Sequence, residues 1–171
     1  PRREVNDMAW DAIRLDREPT LDELADALAA VLGVPTESVA VGEHLEKLRA
    51  DATVMAAMRV EDGGDFRAIV DVVAKDDELD RPLDQAAVAA ICGKLGCRAL
   101  VDDDDGDNPY CFLLVTADQP VQAILVDQPA FDEHNVLTID RPATADDRRA
   151  APAGPVSQRR PTPPPPASSK K

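Results

Sequence analysis

Aromatic side chains are scarce: 171 residues include three Phe, one Tyr and one Trp. The core is therefore expected to be built from aliphatic side chains. Long apolar runs are missing as well. No stretch approaches the roughly 20 apolar residues that a membrane helix requires, and Pro1-Arg2-Arg3-Glu4 leads into no apolar segment of a secretory signal. There are three cysteines, and without a leader this odd number reads as reduced thiols in a cytosol. Cys92 and Cys97 stand five apart and form no Cys-x-x-Cys motif, which removes the usual zinc and thioredoxin-type spacings. Cys92 falls on a helical apolar stripe and Cys111 opens a strand, so both read as small core hydrophobes. Histidine occurs twice, at His44 and His134, each in an acidic, loop-like context. Ser38 lies outside any Gly-x-Ser-x-Gly elbow, and neither Gly-x-Gly-x-x-Gly nor a Walker A pattern occurs. No cofactor or metal is expected.

What the chain has in excess is negative charge. Residues 1–142 carry 13 Lys+Arg against 31 Asp+Glu, a formal −18, while the last 29 residues carry +4, for a net −14. Such a charge repels nucleic acid and anionic membrane and attracts basic proteins or cations. Fourteen Arg against five Lys, with abundant Ala, Asp and Val, point to a GC-rich bacterial genome.

About 140 residues suffice for one cooperative core without metal or disulfide staples. Thr20 and Glu23 form a capping box ahead of Leu21, Leu24, Ala25, Leu28 and Leu32, and Gly33 and Pro35 end the helix. A second helix is expected from about Pro82 to Leu95, with Leu83, Ala87, Val88, Ile91, Cys92 and Leu95 as its stripe and Gly96 as its stop. Strands are expected at Met8–Leu15, Val39–Val41, Val54–Val60, Phe66–Val73, Arg98–Val101, Cys111–Thr116, Val121–Val126 and Val136–Ile139. Phe66, Ala68, Val70 and Val72 alternate with Arg67 and Asp71 as in a half-buried strand. Residues 43–58 also fit a helix through Leu45, Leu48, Ala52 and Met55. The class is α+β, two helices packed on one face of an antiparallel β-sheet, with an α-β-β-β order that reads as a duplication. Residues 1–141 form this acidic domain. Residues 142–171 hold eight of the 15 prolines and read as a disordered Pro/Arg-rich tail, whose Arg160–Pro166 run formally fits a polyproline-groove pattern.

Asp102-Asp103-Asp104-Asp105-Gly106-Asp107-Asn108 invites comparison with a calcium loop. With Gly106 at the sixth position, Asp103, Asp105 and Asp107 take ligand places, but Val101 and Phe112 occupy the first and last places, which need carboxylates. An acidic turn before Asn108-Pro109 is the better reading. Asp76-Asp77-Glu78 reads as a solvated charge run. Trp10 reads as core, and Tyr110 stands between core edge and interface anchor. The residues assigned to partner binding are Asp102, Asp103, Asp104, Asp105, Asp107 and Tyr110.

The expected function is non-catalytic: a cytoplasmic acidic protein that binds a basic protein partner, with the size, acidity and lack of catalytic motifs of bacterial immunity or antitoxin-type inhibitors. The alternative is an acidic secretion chaperone, a homodimer acting on an extended effector segment. A chaperone of this kind should carry a closing helix after the last hairpin, whereas Pro129–Arg141 reads as loop and short strand. A third reading is an enzyme with an unrecognised carboxylate site.

Overall fold

The computed structural model describes residues 10–74 and 83–150. Met8, the Trp10 side chain, Asp76-Asp77-Glu78, Pro82 and the Arg160–Pro166 run lie outside the described residues. In chain order the elements are β1 Trp10–Leu15, α1 Leu21–Leu32, β2 Val39–Gly42, β3 Val54–Val60, β4 Ala68–Ala74, α2 Gln85–Leu95, β5 Ala99–Asp102, β6 Cys111–Val115, β7 Gln122–Val126, α3 Gln128–His134, β8 Ile139–Pro142 and α4 Ala145–Arg149. Single 3-10 turns stand at Thr36–Ser38 and Leu45–Lys47.

Both long helices form where cap chemistry and apolar spacing agree. Thr20 accepts from the Glu23 N–H while the Glu23 carboxylate accepts from the Thr20 N–H, and Gly33 closes α1 at φ 69°. In α2 the cap is Asp84, which accepts from the Ala87 N–H at 2.7 Å. The helix therefore begins at Gln85, later than expected.

The eight strands form one sheet in the order β2-β3-β4-β1-β5-β6-β7-β8. β2 and β3 are parallel, and the remaining neighbours are antiparallel. This is a mixed α+β protein with a mostly antiparallel sheet and four helices among the described residues. The order α-β-β-β occurs twice, as α1-β2-β3-β4 and α2-β5-β6-β7, but the opening strand pair is parallel in the first and antiparallel in the second.

The core has two parts of different chemistry. The larger joins Leu24, Ala27 and Leu28 of α1 and Val88, Ile91, Cys92 and Leu95 of α2 to alternate strand residues, among them Ile13, Leu15, Val54, Val70 and Ala99. Among the described side chains none of its members is aromatic. The smaller contains Phe66, Leu100, Tyr110, Phe112, Ile124, Val126 and Leu137, with Phe131 packed against it. All three Phe and the single Tyr thus gather in one place. Phe131 meets Tyr110 and Phe112 edge to face, at centroid distances of 6.0 Å each.

Several elements differ from the sequence expectations. β4 is buried on both faces rather than one, with Ile69 at 3% and Val73 at 1% exposure beside Val70 at 0%. Residues 43–58 are not a helix beyond the turn at Leu45–Lys47, since Val54 onward is claimed by the ladder with β4. A helix, α3, occupies part of the stretch expected to be loop. Asp127 caps it by accepting from the Ala130 N–H at 2.8 Å, and Pro129 sits in its first turn, where no N–H partner is required. The last strand is Ile139–Pro142 rather than Val136–Ile139. Beyond it the described chain continues through α4 to residue 150.

Candidate functional site

The acidic run joins β5 to β6, and its shape is set from within. The Gly106 N–H donates to the Asp103 carbonyl at 3.2 Å. A Cβ at Gly106 would lie 2.9 Å from Asp103 Oδ2 and 3.1 Å from the Arg148 carbonyl, so any side chain there would push on the Asp103–Arg148 contact. Asn108 Oδ1 accepts from the Tyr110 N–H at 3.0 Å, turning the chain into β6.

The C-terminal segment then locks the loop from outside. Thr144 and Asp147 form a capping box for α4, and Arg141 donates to both oxygens of Asp147 at 2.7 and 2.8 Å. So braced, α4 presents Arg148, whose Nε and Nη2 donate to the two Asp103 oxygens at 2.6 Å each. The Arg148 carbonyl accepts from the Asp107 and Asn108 N–H groups, and Asn108 Nδ2 donates to the Asp147 carbonyl at 2.8 Å. Fork-on-fork pairing of this kind fixes orientation as well as charge.

The electrostatics follow from these contacts. The Arg148 guanidinium holds the Asp103 carboxyl below the usual carboxylate range. Arg141 and the α4 cap do the same for Asp147. Burial, and then the neighbouring Asp103 charge, push the Cys111 thiol up to about 11. The Tyr110 hydroxyl is raised by burial and by its bond to Asp132, whose oxygens accept from it at 2.9 and 3.0 Å.

The six residues assigned from sequence thus separate into distinct roles. The Asp103 side chain is 1% exposed and faces Arg148, and Tyr110 is 7% exposed within the aromatic cluster. Asp102 is ion-paired to Arg14 at 3.2 Å, and the Arg14 guanidinium also lies over the Phe112 ring at 5.1 Å. Asp104, Asp105 and Asp107 are exposed. Arg14, Asp132, Arg141, Asp147 and Arg148 were not singled out from the sequence. The Thr144-x-x-Asp147 spacing, with Arg148 next to it, was the available signal.

Among the described residues no group of three or more His, Cys, Asp or Glu is placed to hold a metal ion. Among them, too, no helix is long and apolar enough to cross a membrane. An open groove of about 330 Å³ lies at the other end of the sheet, between Leu21, Asp22 and Ala25 of α1, the edge strand β2, and Lys47-Leu48-Arg49. Comparison with protein-family models, with curated proteins and with solved structures finds no match.

Proposed function

We propose that this is a non-catalytic acidic protein that docks a basic protein partner through Asp104, Asp105 and Asp107, in the manner of a bacterial immunity or antitoxin-type inhibitor. The observation that carries the reading is the clasped loop. Three exposed carboxylates stand on a turn held by Gly106, by the Asp103–Arg148 fork and by Asn108. Charges on a pre-set surface are presented to a partner without the ordering cost a mobile loop would incur. In this reading Asp103 and Tyr110 hold the loop and its floor rather than touching the partner. The same proposal includes the architectural reading that α1 and α2 lie on one face of the sheet, supported by their shared cluster with strand residues of a single alternation.

The test is capture from an extract of the source cells by the wild-type chain and by D104N/D105N/D107N, followed by association kinetics with the captured protein. Capture of a basic protein by the wild type alone is expected. Equal capture by the triple variant overturns the reading.

One observation favours a second reading, the dimeric secretion chaperone. The closing helix that it requires after the last hairpin has a counterpart in α3. Mass in solution separates the two readings: a monomer belongs to the inhibitor and a dimer to the chaperone.

A further inference from the structure

The C-terminus of α2 carries two thiols in a geometry that the helix stop itself creates. Gly96 is left-handed at φ 61°, and its N–H and that of Cys97 both donate to the Cys92 carbonyl, the latter at 3.1 Å. This is the doubled-back helix end in which the side chain two places past the last helical residue returns onto the final turn. The residues whose backbones it brings together are Cys92, three places before the last helical residue, and Cys97, two places past it. α1 ends in the same way: Gly33 is left-handed, and the Val34 N–H donates to the Ala29 carbonyl at 3.0 Å. There the matching pair is Ala29 and Val34, so the motif itself requires only small apolar groups. Sulfur at both places of α2 is a chemical difference and not a packing need.

The two sulfurs are unequal. Cys92 is 1% exposed, with Sγ 3.7 Å from the Val115 carbonyl, whereas Cys97 is half-buried and within reach of a small solute. The charged neighbours are Asp16 and Arg17, and Arg17 Nη1 donates to the Leu95 carbonyl at 2.6 Å on the same helix end. The neighbouring Cys92 thiol, aided by Arg17 and opposed by burial and Asp16, holds the Cys97 thiol below its ordinary value. The Cys92 thiol is raised, first by Cys97 and then by burial.

We propose that Cys97 and Cys92 form a reversible dithiol–disulfide site for small hydroperoxides, Cys97 being the attacking thiolate and Cys92 the resolving thiol. In the first step the Cys97 thiolate attacks one peroxide oxygen. The O–O bond breaks, an S–O bond forms, and hydroxide, or alkoxide from an organic peroxide, leaves. Sulfur is oxidised by two electrons to the sulfenic acid and the peroxide is reduced. In the second step the Cys92 sulfur displaces that oxygen. The S–S bond forms and the thiol proton leaves with the departing hydroxide as water. A dithiol reductant reverses the change by exchange through a mixed disulfide.

The full chain is treated with hydrogen peroxide, alkylated under denaturing conditions and digested. The expected result is an intact mass lower by about 2 Da, loss of two of the three alkylatable thiols, a Cys92–Cys97 linked peptide, and recovery with dithiothreitol. In C92A, which places in α2 the residue that α1 has at Ala29, a 1,3-dione should trap sulfenic acid at Cys97. Cys92 in C97A should remain unlabelled. Three outcomes overturn the proposal: both cysteines still alkylatable after peroxide, Cys97 passing to sulfinic acid with Cys92 reduced, or a disulfide joining separate chains. The wild-type mapping decides the matter even if C92A fails to fold.

Discussion

At the residue scale, the Asp103–Arg148 fork bears the most weight, because one partner is buried and the other half-exposed. R148M keeps most of the apolar stem and removes the cation, leaving a carboxylate inside the loop with its main counter-charge gone. A buried charge in that state is strongly destabilising, so the melting temperature at pH 7 should fall by more than about 4 °C. The pH dependence has a definite sign. Asp103 titrates below its unfolded value, so its contribution is complete above the ordinary carboxylate range and disappears as pH falls through the depressed value. The gap between wild type and R148M should therefore be widest at neutral pH and narrow below about pH 4. An equal gap at pH 7 and pH 3, measured by urea unfolding, would mean that Arg148 acts through packing alone. Tyr110 offers a second residue-scale test. Y110F removes the hydroxyl and its bond to the exposed Asp132 carboxylate and should cost about 1.5 kcal/mol. Y110A empties the aromatic cluster beside Phe131 and should cost about 3–5 kcal/mol. Similar losses for the two would place the stabilisation in the hydroxyl rather than in the ring.

At the element scale, β8 and α4 act as a strap that ends on the acidic loop. A chain stopped after Pro142 loses Arg148 and should melt at least as early as R148M, whereas a chain stopped after Ala150 keeps every contact described for α4. Equal melting of the two truncated chains, by circular dichroism, would show that α4 holds nothing. The β3–β4 hairpin tip is a second joint. Gly64 is left-handed, and a Cβ there would lie 2.8 Å from the Leu137 carbonyl, while Gly33, also left-handed, opens onto empty space. G64A should therefore destabilise more than G33A, where only backbone strain is added. Elements whose signals are local were legible in the sequence. α1 was read because its cap, stripe and stop fall within one short window, and β3 because it runs into an evident hairpin tip. α3 and α4 have 7 and 5 residues, too few turns for apolar periodicity to show, and only their cap residues announced them. Leu45, Leu48, Ala52 and Met55 mimic a helix stripe, but pairing with β4 decides the outcome from Val54 on. The site divides in the same way. The run of aspartates was plain, but its clasp joins Asp103 to a residue 45 positions away, and Tyr110 finds Asp132 across 22. No window of local pattern spans such distances.

At the scale of the whole molecule, the net charge of −14 is the property a partner meets first. A field of this sign acts over a Debye length of about 8 Å at physiological salt, so it steers approach before any contact forms. Contact-scale interactions act later and set dissociation. The two contributions can be separated because neither the Asp103–Arg148 fork nor the Gly106 turn uses the three exposed carboxylates. D104N/D105N/D107N leaves the Asp103–Arg148 fork and the Gly106 turn in place. If docking is to a basic partner as proposed, the variant should associate more slowly at low salt, by about tenfold or more, while its dissociation rate changes less. Raising the ionic strength should slow the wild type toward the variant until the two association rates meet. R148M supplies the complementary result. It keeps all three exposed aspartates but loosens the turn that carries them, so its association should stay fast and salt-dependent while its dissociation quickens. Surface-binding kinetics across a salt series read both effects at once. Association indifferent to salt in the wild type would reduce the acidic surface to a solubility device, and the docking reading would fall with it.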